Sequence, residues 1–496
     1  MLASIVEPRS GKIDPQCTPD AKFIGMEHVE PHTMRLLGTA PAESMKSGAN
    51  LFKPQDVLYG RMRSYLNKVY QPDFSGLCSG EFIVMPESCA VLGRYLKYRL
   101  NAGDFVRFAS RINAGDRPRV DFEQIGSFHI LLPPRKEQIR IADALDELFS
   151  DLDAAVAALE RVRKKLKLYR ASVLKAAVEG KLTEDWRKKH PDAEPASELL
   201  KRILVERRRR WEEEQLRRFK EKNQEPPKNW KAKYKEPVPP ETTNLPKLPD
   251  GWKWATLSQL LWLLRSGSSE TSGRQATDFP VLKSSAVRQG SIDFGDLNYL
   301  TTAQSGRSEN YLERGDVLVT RLSGSVEYVG CCAVVGALGY QGIQYPDRIF
   351  CGKLVEGTDG RFLVFCFRHP IPRARIEAAA KSTAGHQRIS MSDLHPLPIP
   401  LPPLPEQSAI VEIVEAQLSV IDHLESEIEA QVRHAGTLRQ AVLKRAFEGK
   451  LVPQNPNDEP ASELLKRIAA ERSAREAAAL KAKQTEKSAR NTKTGK

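Results

Sequence analysis

Blocks of this chain return at a constant distance, and that repeat restricts the fold more than any other feature. Leu132-Pro133-Pro134 and Glu137-Gln138 recur 269 residues later as Leu401-Pro402-Pro403 and Glu406-Gln407. Further along each copy, Val173-Leu174-Lys175 and Glu179-Gly180-Lys181-Leu182 recur as Val442-Leu443-Lys444 and Glu448-Gly449-Lys450-Leu451, still 269 apart. No residue is gained or lost in between. The stretch Glu194–Ile203 then returns as Glu459–Ile468 at an offset of 265, the change falling in a polar, Pro-containing connection where length matters least.

The constant-offset stretch reads as a long helix in both copies. Apolar residues fall at Ile141, Leu145, Leu148, Leu152, Val156, Leu159, Val162, Leu166, Tyr169 and Val173, and again at Ile410, Val414, Ile421, Leu424, Ile428, Ala435, Leu438 and Val442. Steps of three and four place them on one helical stripe. A Pro pair precedes each start, and Gly180 or Gly449 suits the residue just past each end. A single stripe on so long a helix wants a partner of similar length, and the other copy is the obvious one. The expected architecture is therefore an antiparallel coiled coil with pseudo-two-fold symmetry. At about 1.5 Å per residue each arm is roughly 65 Å long.

Before and between the arms lie two segments of strand character. Asp56-Val57-Leu58-Tyr59-Gly60-Arg61 in the first matches Asp316-Val317-Leu318-Val319-Thr320-Arg321 in the second, and Arg119-Val120 matches Arg388-Ile389. Short apolar runs broken by Gly, Pro and Asn make these α/β heads within an α+β chain. The expected order is a first head over 1–132, a long helix over 133–182, and a charged helical arm with a Pro/Lys-rich linker over 183–247. A second head over 248–402, a second long helix over 403–451, a short helical arm over 452–472 and a basic disordered tail over 473–496 follow. In the arm, Arg207–Arg210 precede Glu212–Glu214, which favours a solvated, salt-bridged helix over a nucleic-acid contact.

The chain carries 76 Lys and Arg against 63 Asp and Glu, a net charge of +13. That surplus favours a polyanionic partner, although a solvated basic surface would explain it too. The most apolar runs, Leu257–Leu264 and Phe362–Phe367, are far shorter than the roughly 20 residues a membrane span needs. Seven cysteines lack any C-x-x-C pair, which suggests reduced thiols and a cytoplasmic protein. Phosphate-loop, dinucleotide and zinc patterns are missing, and with them any sign of ATP or S-adenosylmethionine binding. Glu179-x-Lys181 and Glu448-x-Lys450 resemble half of a metal-dependent nuclease site, but each ends a helix with Gly at the capping position.

Polar residues cluster at matching places in the two heads. Arg61, Arg63, Tyr65 and Lys68 follow the first Asp-Val-Leu strand; Arg321, Ser323 and Ser325 follow the second. A polar loop precedes the last strand of each head. It carries Arg111, Asn113, Asp116, Arg117 and Arg119 in one, and Lys381, Ser382, His386, Gln387 and Arg388 in the other. Arg can bond guanine bidentately, Gln and Asn can do so with adenine, and Lys and Ser can hold phosphates. Each alone is more often an ordinary surface residue; their clustering makes the case for double-stranded DNA. A coiled-coil scaffold whose heads bind protein is the rival reading, and it expects no salt-dependent DNA binding.

At these residues the chain resembles the specificity subunit of type I restriction–modification enzymes. The likeness rests on Leu-Pro-Pro-x-x-Glu-Gln opening each long helix, Glu-Gly-Lys-Leu closing it, and Leu248-Pro249-Asp250-Gly251-Trp252-Lys253-Trp254 opening the second head. Asp316-Val317-Leu318 and Gly385-His386-Gln387-Arg388-Ile389-Ser390 also fit. The resemblance implies two target-recognition domains, each reading half of a split, asymmetric site. It implies long helices that act as a ruler and as the platform for two methyltransferase subunits, and it admits restriction subunits. It also implies a non-catalytic chain, with S-adenosylmethionine, ATP and Mg²⁺ held only by partners. The first head has no counterpart of Leu-Pro-Asp-Gly-Trp-Lys-Trp.

Overall fold

The computed structural model describes residues 1–45, 47–112, 117–300, 311–339, 342–383, 385–470 and 473–474. Two compact units emerge, one formed by Met1–Arg161 with Glu427–Lys496, the other by Val162–Ser426. Each unit therefore takes part of both long helices. Those helices run over Arg135–Val178 and Leu404–Phe447, 44 residues each and 269 apart at both ends.

In unit 1 a five-stranded sheet orders Lys12–Ile13, Ala49–Phe52, Gly76–Ser79, Lys22–Ile24 and Ala40–Pro41, with Lys22–Ile24 and Gly76–Ser79 parallel. A three-stranded antiparallel sheet sets Val57–Gly60 between Val69–Tyr70 and Phe82–Met85. Its Val57, Tyr59 and Met85 share a core with Tyr95, Leu96 and Phe105 of two short helices, and with Ile141, Leu145, Leu443 and Ala446 of the long ones. Packing of 141–145 near 443–446 makes the two long segments antiparallel.

Unit 2 centres on a four-stranded antiparallel sheet ordered Leu261–Ser266, Ile349–Leu354, Val317–Thr320 and Cys332–Val334. Strand Lys253–Thr256 pairs with Pro398–Leu401. Helix Gly360–Arg368 buries Phe362–Phe367 in the core that also takes Val173, Leu174, Ala177, Ile410, Val411 and Val414. The two long segments are antiparallel here as well.

The repeated motifs have repeated jobs. Asp56 and Asp316, both buried, accept from the backbone N–H three residues earlier, at Lys53 and Glu313. Arg9 neutralises the first at 2.6 Å and Lys353 the second at 2.8 Å. Gln138, fully buried, accepts from Leu92 N–H and donates to the carbonyls of Ala90 and Pro133. Gln407 does the same with Asp359 N–H and the carbonyls of Gly357 and Pro402. A buried loop backbone needs such partners, so an amide with both donor and acceptor is required at the helix start.

Two features depart from expectation. Of the forecast stripe, Ile141, Leu145 and Val173 are buried, but Leu148, Val162 and Tyr169 are 43%, 45% and 52% exposed. Burial concentrates where a helix meets a head. The Pro/Lys-rich stretch also does not run free. Trp230 stacks on Trp211 of helix Ala196–Glu221, the Tyr234 hydroxyl accepts from Arg207, and the carbonyls of Val238 and Pro246 accept from Thr256 and Trp254. That helix itself carries the ion pairs expected of it, Arg209 with Glu206 and Glu213, and Arg218 with Glu214. The tail over 475–496 lies outside the described residues.

Candidate nucleic-acid interface

Strand Val317–Thr320 is buried throughout and delivers the chain to the surface at Arg321. Here the backbone does the positioning. Arg321 N–H donates to the Arg348 carbonyl, and the Arg321 carbonyl accepts from Ile389 N–H. Leu322–Ser323 then pairs with His386–Arg388, which pairs with Lys381–Thr383. Strand alternation leaves His386 and Arg388 exposed with Gln387 half-buried between them. Gly385, at φ +79°, supplies a left-handed backbone that a side chain would strain.

A polar cleft of about 180 Å³ opens beside this hairpin. Ser284, Ser285, Arg288, Ser323, Tyr328, Arg348 and His386 line it. Arg288 lies over the Tyr328 ring at 5.3 Å. Arg288, Arg348 and Arg388 are exposed, and none forms a salt bridge among the described residues, although the charge of Arg288 reaches Asp296. Arg288, Tyr328 and Arg348 were not singled out by the sequence, because they come from three separate segments.

Arg321 itself is not in this group. Its guanidinium donates to the Asp347 carbonyl at 3.2 Å and lies over Phe350 at 5.6 Å, so it braces the turn that presents Arg348. Ser323 accepts from Ser325 N–H, and the Ser325 hydroxyl meets Glu327 at 3.3 Å. Lys381 is exposed at the hairpin's outer edge.

Unit 1 repeats the backbone scheme. The Arg61 carbonyl accepts from Val120 N–H, and Arg63 N–H donates to Pro118 at 2.7 Å. Arg63 adopts a left-handed conformation, and the next residue, Ser64, is pinned to the Ala109 carbonyl. These contacts gather Arg63, Tyr65, Arg111 and Arg117, all exposed. Three expected readers turn elsewhere. Arg61 pairs with Asp121 and Arg119 with Glu81. Lys68 donates to the Met26 carbonyl, and burial lowers its pKa against the pull of Glu27. Sequence spacing placed them near the site but could not reveal the acidic or carbonyl partner. Asn113 and Asp116 lie outside the described residues.

The Glu-Gly-Lys triplet at the end of the first long helix is a cap. Gly180 has φ +72°, its N–H donates to Ala177, and its carbonyl accepts from Arg187. Among the described residues no cluster of three or more His, Cys, Asp or Glu could hold a metal ion. Nor is any helix there long and apolar enough to cross a membrane.

Comparison with known proteins adds a family. The profile of the type I restriction modification DNA specificity domain matches residues 249–434. The EcoKI specificity subunit of Escherichia coli strain K12 is 27% identical over 416 residues, 82% of this chain and 76% of that one. The EcoAI specificity subunit of Escherichia coli is 27% identical over 350 residues, 62% of this chain and 56% of that one. A solved chain, from work on complex assembly and conformational transition of the type I R-M system, matches with TM-score 0.64 at 16% identity. It covers 91% of this chain and 97% of that one, a likeness of fold.

Proposed function

We propose that this chain, which belongs to the type I restriction–modification specificity subunits, reads a bipartite, asymmetric DNA target with its two unlike heads. The observation that carries the proposal is the rim of the unit 2 cleft. Arg288 and Arg348 line it without a salt bridge among the described residues, and exposed Arg388 lies on the adjoining hairpin, while Arg209, Arg217 and Arg218 of helix Ala196–Glu221 are matched to glutamates. Exposed guanidinium groups free of salt bridges beside Ser285, Ser323, Tyr328 and His386 suit phosphates and base edges. In unit 1, Arg63, Tyr65, Arg111 and Arg117 take the same part.

The chain works without cofactors of its own and recruits the catalytic subunits. Two methyltransferase subunits dock along the long helices, where Leu168, Tyr169, Val420 and Leu438 remain exposed. S-adenosylmethionine, ATP and Mg²⁺ belong to those partners and to restriction subunits.

Co-expression with the methyltransferase subunit, followed by methylome sequencing, tests this. The expected result is a split motif with unlike halves. Replacing Gln387 and Arg388 with Ala should relax one half and leave the other unchanged. A continuous palindromic motif would overturn the reading, and DNA binding indifferent to salt would favour the scaffold alternative.

A further inference from the structure

A second cavity, of about 470 Å³, opens in unit 2 where the first long helix passes the start of helix Pro370–Ala379. Lys167, Arg170, Ser172, Lys175, Arg368 and Pro370 line it. The carboxylates around these cations are already engaged. Asp422 and Glu425 meet Arg170 at 2.5 and 2.9 Å. Glu179 is held by Lys181 at 2.7 Å, with Lys175 and His369 each at 3.8 Å. Lys167 and Arg368 remain, and their side chains form no salt bridge or hydrogen bond among the described residues.

Arg368 is the more constrained of the two. It ends helix Gly360–Arg368 half-buried, and a guanidinium stays charged there. Burial lowers its pKa, Arg170 adding to the effect and Asp422 opposing it. A partly desolvated cation beside a second one is costly unless an anion joins them. Pro370, first residue of the next helix, brings the positive end of a helix dipole to the same cavity. The cavity also lies close to the polar cleft. Arg373, in that helix, donates to the carbonyls of Val326 and Val329, and Tyr328 between them lines the cleft. Burial raises the Cys331 thiol, and Arg373, Arg288 and Arg368 oppose it, so one residue feels cations of both openings. The helix is about 15 Å long, so a duplex seated in the cleft reaches the cavity within about five base pairs.

We propose that this cavity seats a backbone phosphate of DNA flanking the half-site that unit 2 reads, an inference that rests on that reading. Arg368 and Lys167 bind the phosphate oxygens, and Ser172 offers a hydroxyl beside them. The anion gives Arg368 the partner that its burial calls for. Nearness to the cleft favours DNA over an acidic protein segment. A phosphate is held whatever base it carries, so the contact adds affinity and fixes register without extending the sequence read.

The test uses the complex with the methyltransferase subunit, once methylome sequencing has defined the target. Two duplexes are titrated at several salt concentrations: the unit 2 half-site alone, and the same half-site extended by a helical turn on both sides. On the extended duplex, Arg368→Ala and Lys167→Ala should each lower the slope of log affinity against log salt by up to about 0.9. On the half-site alone neither should change it, and the methylated motif should stay the same. Exposed Lys167 can be replaced without touching a core, so the test survives if Arg368→Ala folds poorly. Unchanged slopes on the extended duplex, or equal losses on both duplexes, would overturn the proposal. Loss of the methyltransferase subunit with the slopes intact would assign the cavity to an acidic protein segment and overturn it too. Failure of the DNA-reading function shows instead as an altered motif, which neither variant should produce.

Discussion

Single residues carry two kinds of signal here, and only one was legible in the sequence. Asp56, Asp316, Gln138 and Gln407 recur because buried backbone N–H and carbonyl groups must be satisfied at set points of the repeat. Repetition exposes such residues without a structure. Surface cations are different, since whether an Arg is free depends on what folds beside it. Arg61, Arg119 and Arg321 looked like Arg63 and Arg388 in sequence, yet they are held by Asp121, Glu81 and the Asp347 carbonyl. The distinction is measurable. Arg348→Ala and Arg388→Ala should each lower the slope of log affinity against log salt by about 0.9 for every phosphate no longer neutralised. Both variants should melt like the original chain. Arg321→Ala should instead lower the melting temperature, because it removes a brace. Equal salt slopes in all three variants would remove these arginines from the interface.

At the scale of elements, the equal spacing of two 44-residue helices reflects reciprocal contacts. Arg170 pairs with Asp422 and Glu425 in unit 2, and Arg439 pairs with Asp153 in unit 1. Arg170 and Asp153 lie 269 residues before Arg439 and Asp422, so a single insertion would unseat both pairs. The helix caps tell the two copies apart. Gly449→Ala should cost about 1 kcal/mol, the strain of a left-handed alanine. Gly180→Ala should cost clearly more, because its new Cβ also strikes Pro249. Chemical denaturation of the two variants checks the order, and equal losses would mean that the segment over Gly180 yields freely. The stripe of apolar residues revealed the helices but not their burial, since Leu148 and Val162 fit the period and stay exposed.

At the scale of the whole molecule, unit 1 joins two remote stretches, Met1–Arg161 and Glu427–Lys496, and each unit holds part of both long helices. Unit 1 takes Leu443 and Ala446 into the core that holds Tyr95 and Phe105, though more than three hundred residues separate them. A fragment ending at Ser426 should therefore lose protection across helices Gly93–Arg99 and Gly103–Ile112 while unit 2 keeps its own. Hydrogen exchange by mass spectrometry would show it, and an intact unit 1 in that fragment would mean that the head folds without the second helix. A division into successive segments, natural when reading along a sequence, cuts across this arrangement.

Sequence alone determined the duplication, the two long helices with their caps, and the membership of the two heads in one plan. These depend on periodicity and on residue types with narrow uses, such as Gly at positive φ and buried Gln or Asp at fixed offsets. Only the tertiary structure decided which cations stand free. It also assembled the cleft of Ser285, Arg288, Tyr328 and Arg348. Those outcomes depend on distances between residues remote in the chain, and spacing along a sequence contains no such distances.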